Sequence, residues 1–210
     1  MSTLPTVRRH HGYEMVREAI LGVARDIMRA EGVGALSLNE VARRVGMKPP
    51  SLYTYFASKH ALYDELFRGG MRMYRRRLTE LLESHGLTAE VIPAAIADYM
   101  AFADENPDLY ALLFERPVPG FVPSEESMVE ARGLLEDGER WWQQALDAGI
   151  VRSGLDAAAT RDLVLGLMHG LTSLKRANEP DAPIGSGRFS PLIPAAAGLI
   201  EAAWVQRQSR

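Results

Sequence analysis

Between two short apolar-patterned runs the chain reads Gly46-Met47-Lys48-Pro49-Pro50, and this punctuation allows little except a tight turn between two helices. Glycine adopts the left-handed conformation common just past a helix end. Proline disfavours helix before itself yet fits the first turn of a new one. In the surrounding stretch from Ser37 to Lys59, SLNEVARRVGMKPPSLYTYFASK, Ser37 and Glu40 have the Ser-x-x-Glu spacing of a capping box, which predicts a helix start. Leu38, Val41, Ala42 and Val45 then share one face at helical spacing. A second helix is predicted from Pro49, and at 1.5 Å per residue its roughly seven residues span about 10 Å.

That length is comparable to the B-DNA major groove, about 12 Å wide. Leu52 and Phe56, four residues apart, face inward, leaving Lys48, Pro49, Ser51, Tyr53, Thr54 and Tyr55 outside. Hydroxyls, aromatic edges and one cation suit a groove and its phosphates, so the pattern points to DNA contact. Ser51, Tyr53 and Thr54 are expected at base edges, and Lys48, Tyr55 and Lys59 at phosphates. Ser58 reads as the N-cap of the next helix, placing Lys59 at an amino terminus where free amides favour an anion. Short helix pairs also occur in proteins that never touch DNA, and spacing alone does not separate the two cases.

From about Tyr13 to Leu78 the sequence closely resembles the amino-terminal domain of TetR-type transcriptional repressors. The resemblance rests on Ala42 to Gly46 (A-x-x-x-G), Pro50 to Phe56 (P-S-L-Y-x-Y-F) and Ser58 to Leu62 (S-K-x-x-L). It implies an all-α fold of about nine helices. A three-helix helix-turn-helix DNA-binding domain (1–58, with an amino-terminal arm) would precede a larger helical domain (59–210) for ligand sensing and dimerisation. Thr54 and Tyr55 stand where the family often carries Gln, Arg or His, so the operator sequence cannot be read from the resemblance.

Charge distribution fits this division. Net charge is only −3, but residues 1–78 hold fourteen Lys and Arg against seven Asp and Glu, whereas 79–210 hold ten against twenty. A basic first third can neutralise phosphates and makes binding fall steeply with salt. Residues 1–11, with Arg8, Arg9, His10 and His11, are expected to form a disordered arm; the first helix is expected from Tyr13 to Glu31, burying Val16, Ile20, Val23, Ala24, Ile27 and Met28.

Beyond Ser58 the periodicity predicts a long helix to about Glu83, in which Gly69-Gly70 is a site of close helix contact, a local bend or simply tolerated, with plain packing the favoured reading; helices follow over 89–104 and from Pro107. A proline-rich break, RPVPGFVP, covers 116–123, and helices follow from Ser124, Asp156 and Ser190-Pro191. The resemblance further implies a homodimer on a near-palindromic operator. From the last two helices we expect Leu163, Leu167, Gly170, Leu171, Leu174, Ile193, Ala197, Ile200 and Trp204 at its interface. It also implies a small-molecule effector, for which Met71, Tyr74, Tyr99, Met100, Tyr110, Phe114, Trp142, Met168 and His169 form the expected, largely apolar lining.

Other functions find little support. The chain has no cysteine, and no metal-ligand spacing, glycine-rich phosphate loop or nucleophile elbow occurs, so an enzyme, a metal site or a cofactor is not expected. No apolar run reaches a membrane-spanning length, and a cytoplasmic location is expected. The activity that the resemblance implies is transcriptional repression relieved by ligand. A regulator answering to a partner protein, with no ligand pocket, is the main alternative.

Overall fold

A computed structural model describes residues 4–205 except 153 and 155, and the side chains from residue 12 on. Among the described residues there are nine α-helices and no strand: α1 (Leu4–Glu31), α2 (Leu38–Val45), α3 (Pro49–Leu52), α4 (Lys59–His85), α5 (Val91–Glu105), α6 (Pro107–Tyr110), α7 (Glu125–Asp147), α8 (Ala157–Asn178) and α9 (Ile193–Trp204). The all-α expectation holds. Two compact units form, one from the chain up to Gly70 with Pro107–Ser127, the other from Met71–Asn106 with Met128 onward.

In the first unit, α1 buries Ile20, Ala24, Ile27 and Met28 against Leu36, Val41, Ala42, Leu52, Phe56 and Leu62. The helix begins at Leu4 rather than at Tyr13, so most of the expected arm is helical; its first three residues and the side chains of Arg8, Arg9, His10 and His11 lie outside the described residues. α2 ends at Gly46, φ 78°, whose N–H donates to the Arg43 carbonyl (3.2 Å) while the Met47 N–H donates to that of Ala42 (2.9 Å). These two bonds form the Schellman arrangement that glycine permits.

The expected capping box is not made. Ser37 has the extended backbone of an N-cap but its hydroxyl holds no cap bond. Arg43 and Arg44, three and four residues on, take the Glu40 carboxylate instead, with contacts of 2.6–2.7 Å, and their hydrogen bonds hold its pKa down at about 2.

Pro107–Ser127 packs within this unit. Asp108 at the start of α6 is fully buried and accepts from Arg25 Nε (2.7 Å) and Arg29 Nε (3.0 Å) of α1. After α6 a π turn, Ala111–Glu115, ends at Arg116 with φ 49°, and the proline-rich break carries Phe121 against His60 and Tyr63. α4 runs unbroken through Gly69-Gly70. A β-carbon at Gly70 would stand 3.2 Å from Leu113, so that glycine serves close packing.

In the second unit α5 packs on α8 and α9. Ion pairs tie its helices together: Arg77 to Asp98 and Glu105, Arg75 to Asp137, and Arg161 to Glu139. Lys175 is fully buried and pairs with Asp104 at 2.8 Å. Asp156 caps α8 by accepting from the Ala159 N–H at 2.9 Å.

Candidate nucleic-acid interface

The second helix of the helix-turn-helix is shorter than its sequence suggests. α3 holds α-helical form only from Pro49 to Leu52, and the chain then turns through Tyr53, Thr54 and Tyr55. Two prolines at its start carry no N–H, and aromatic and β-branched side chains lose rotamer freedom in a helix. The turn tightens accordingly: Thr54 N–H donates to the Ser51 carbonyl (3.3 Å) and Tyr55 N–H to that of Leu52 (2.9 Å).

Leu52 and Phe56 are buried beneath this element, as their spacing predicts. Above them Lys48, Pro49, Ser51, Tyr53 and Thr54 are all exposed. Tyr53 is 53% exposed, a large aromatic side chain left in water. Tyr55 differs: it is half-buried, its ring stacked on that of Tyr13 with centroids 4.8 Å apart and planes 23° from parallel. Lys59 stands in the first turn of α4, where the Ser58 hydroxyl accepts the Ala61 N–H (3.0 Å). Its ammonium donates to the Gly34 carbonyl at 3.1 Å and lies 5.5 Å from the centre of the Tyr63 ring. Tyr63, itself buried, donates to the Val33 carbonyl at 2.5 Å, and burial pushes its pKa up to about 12.

Most of the described arginines of this unit are held in ion pairs. Arg17 pairs with Glu65, Arg25 and Arg29 with Asp108, Arg43 with Glu40, Arg44 with Glu31 and Glu40, and Arg68 with Glu65 and Glu126. Lys48, by contrast, is exposed and has no ion-pair partner among the described residues. The sequence shows the surplus; only the fold shows which cations remain free.

The expected effector lining divides between the units. Met71, Tyr74, Tyr99, Met100, Trp142, Met168 and His169 belong to the second, Tyr110 and Phe114 to the first. Tyr74 meets Tyr99 edge-on at 5.6 Å, and the Tyr99 hydroxyl lies 3.1 Å from His169 Nδ1. Burial pushes the Tyr74 phenol pKa far up. Trp142 packs between Trp141 and Trp204. All of the expected lining residues are buried except Phe114 and His169, which are half-buried. An open cleft of about 560 Å³ lies elsewhere, walled by Arg75, Thr79, Leu82 and Glu83 of α4, Gly86 and Leu87, and Asp137, Arg140, Trp141 and Gln144 of α7.

Among the expected interface residues, Leu163, Gly170 and Leu174 of α8 are exposed and Leu167 and Leu171 half-exposed. Ile193, Ala197 and Ile200 turn inward, and Trp204 is half-buried. Leu192 and Leu199 stand on the outer side of the carboxy-terminal segment instead.

The family model of bacterial regulatory proteins of the tetR family matches residues 20–66, the span from mid-α1 into α4. The HTH-type transcriptional regulator YobS of Bacillus subtilis is 31% identical over 163 residues, 76% of this chain and 78% of its own length. The chain belongs to the tetR family. A protein of unknown function from Rhodococcus sp. RHA1 shares the fold with a TM-score of 0.76 at 22% identity, over 91% of this chain and 95% of that one. The transcriptional regulator FadR of Bacillus subtilis, solved with stearoyl-CoA, does so with a TM-score of 0.67 at 16% identity, over 87% and 96%. This tetR-family chain is a DNA-binding transcriptional regulator and not an enzyme. Among its described residues no helix is long and apolar enough to cross a membrane.

Proposed function

We propose that the chain is a cytoplasmic, homodimeric repressor that reads a near-palindromic operator with Pro49–Tyr55 and leaves it on binding a small, largely apolar effector. One observation carries the DNA assignment: Lys48, Pro49, Ser51, Tyr53 and Thr54 stand exposed together over a buried Leu52 and Phe56. Ser51, Tyr53 and Thr54 meet base edges, and Lys48 and Lys59 meet phosphates. Tyr55 adds a phosphate contact through its hydroxyl while its ring stays against Tyr13. Residues 1–58 carry the DNA-binding function, and 59–210 carry sensing and dimerisation.

A single helix-turn-helix reads too little DNA to bind tightly, so two copies related by a two-fold axis are needed. The outward faces of α8 and of the carboxy-terminal segment supply the surface, with Leu163 63% and Leu199 69% exposed in the single chain. The effector reading draws on FadR, a protein of the same fold that holds stearoyl-CoA. Here Tyr74, Tyr99, Met100 and Met168 offer an apolar, adaptable lining, with the Tyr99–His169 pair as its polar anchor. A ligand there shifts operator occupancy only if it favours one state over the other. The near-complete burial of Tyr74, Tyr99 and Met100 supports a second reading, control by a partner protein with no ligand pocket.

The deciding experiment is binding of the purified protein to the DNA flanking its own gene, titrated over salt, beside Tyr53→Ala and Lys48→Ala. Tight, salt-sensitive binding that both variants weaken is expected. Binding unaffected by either would overturn the recognition assignment. Operator affinity with and without stearoyl-CoA then tests the acyl-CoA effector class, which equal affinity excludes.

A further inference from the structure

A reading element of four helical residues cannot hold its own direction: the first helical turn fixes several backbone angles for a single hydrogen bond. What fixes Pro49–Tyr55 lies on α1. Arg17 Nη1 donates to the Tyr55 carbonyl (3.4 Å), Nη2 donates to Glu65 Oε2 (2.6 Å), and the guanidinium carbon stands 4.7 Å from the centre of the Phe56 ring. One turn earlier on the same helix, Tyr13 stacks on the Tyr55 ring. Arg17 thus meets the backbone of Tyr55 and the ring of Phe56, and Tyr13 meets the side chain of Tyr55, just past the end of α3, where the Leu52 carbonyl is shared between the Tyr55 and Phe56 N–H groups (2.9 and 3.0 Å).

The arrangement is itself anchored. Glu65 also accepts from Arg68 at 2.5 Å, and Arg68 pairs with Glu126 in the first turn of α7. Arg17 is therefore committed on its carbonyl, carboxylate and aromatic sides at once. A planar guanidinium can satisfy all three, whereas a lysine ammonium is a point charge on a flexible stem.

Resting on the reading of Pro49–Tyr55 as the DNA-reading element, we propose that Arg17 is a positioning residue for sequence recognition. It sets the direction in which Tyr53 and Thr54 are presented, and it does not neutralise a phosphate. Its loss costs sequence-specific affinity and leaves the general attraction to DNA in place.

The test uses the full chain and a near-palindromic duplex selected from a randomised pool, against a scrambled duplex of the same length and composition, each titrated over salt. Arg17→Met is expected to lower affinity for the selected duplex roughly tenfold, the scale of one base contact, with the scrambled duplex bound as before. The salt dependence is expected to change by much less than the slope of about 0.9 that one phosphate contact contributes. Arg17→Lys, which keeps the charge and is the milder change should the methionine variant fold poorly, is expected to lose most of the same specificity. Arg17→Met with Glu65→Gln restores the net charge and is expected not to restore affinity. A slope lowered by about one unit with equal loss on both duplexes, wild-type binding by Arg17→Lys, or recovery in the charge-neutral double variant would each overturn the proposal. So would a lowered melting temperature with unchanged affinity of the folded protein. Tyr53→Ala separates the two levels: if it binds as wild type, the recognition reading fails and takes this inference with it. If it loses the selected duplex while the Arg17 variants keep it, the Arg17 role alone fails.

Discussion

Arg75 lies flat across α7 at Gly133, its guanidinium occupying the space a β-carbon would take as it reaches Asp137, Nε to Oδ2 at 2.6 Å. That hydrogen bond also holds the Asp137 carboxyl below the usual range. A glycine inside a helix costs about 1 kcal/mol relative to alanine, so α7 carries Gly133 against its own propensity. Gly133→Ala is expected to gain none of that 1 kcal/mol, because the new methyl pushes the guanidinium off Asp137. Gly22, exposed in α1 with nothing within 4 Å of its absent β-carbon, is the control, and Gly22→Ala is expected to gain about the full amount. In an Arg75→Ala background Gly133→Ala should gain it too. Urea unfolding of the four variants checks this, and equal gains at both sites in the wild-type chain would remove the strap.

Three residues with N-cap spacing behave differently. Ser58 and Asp156 each accept an N–H three residues on, from Ala61 at 3.0 Å and Ala159 at 2.9 Å, whereas the Ser37 hydroxyl holds no cap bond. Ser58→Ala and Asp156→Ala are expected to cost about 1 kcal/mol each, and Ser37→Ala a few tenths. Unfolding midpoints decide it; an equal cost at Ser37 would mean that its cap does form in solution.

Ser37 also marks where the sequence stops being readable. Its spacing to Glu40 signals a helix start, and α2 does start there, but the motif presumes a free glutamate and Arg43 and Arg44 compete for it. The spacing of Ile20, Ala24, Ile27 and Met28, and the left-handed need of Gly46, were legible because each depends on near neighbours alone. The interior of the second unit was legible at Tyr99 and Met100 for the same reason. α9 was not: in IPAAAGLIEAAW nearly every side is apolar, so spacing cannot say that Ile193, Ala197 and Ile200 turn inward while Leu199 turns out. Nor could it pair Arg17 with Glu65, 48 residues away, or show that most basic residues before Gly70 are already neutralised.

Asp108 gives a pH dependence. Burial pushes its carboxyl up, but the hydrogen bonds and charges of Arg25 and Arg29 outweigh burial and hold it below the ordinary value. An acid with a depressed folded-state pKa adds stability that is present above its unfolded value, about 3.9 for Asp, and is lost as pH falls through the folded value. Acid unfolding of the wild type is therefore expected to include this loss below about pH 4, and Asp108→Asn should show a shallower dependence there. At neutral pH the same variant leaves two arginines with a weaker partner and is expected to cost about 2 kcal/mol, less than a fully buried pair because Arg29 is partly exposed. Wild-type stability at pH 7 with an unchanged acid limb would show that the pair contributes nothing.

The outer side of α9 tests the proposed dimer. Leu199 is exposed in the single chain, and its neighbour Ile200 is buried at 3% exposure. If a second copy covers Leu199, Leu199→Arg places a charge in that interface while leaving the chain's own packing alone, so the monomer's stability should stay within about 0.5 kcal/mol. The variant is expected to sediment as a monomer and to bind a two-half-site operator far more weakly than wild type, because each half-site must then be held by one helix-turn-helix on its own. Ile200→Arg serves as the contrast, since burying an unpaired charge should unfold the second unit and remove binding through stability alone. A Leu199→Arg protein that remains dimeric and binds as before would move the interface away from α9, and Leu163→Arg on α8 would then be the variant that separates a shifted interface from an absent one.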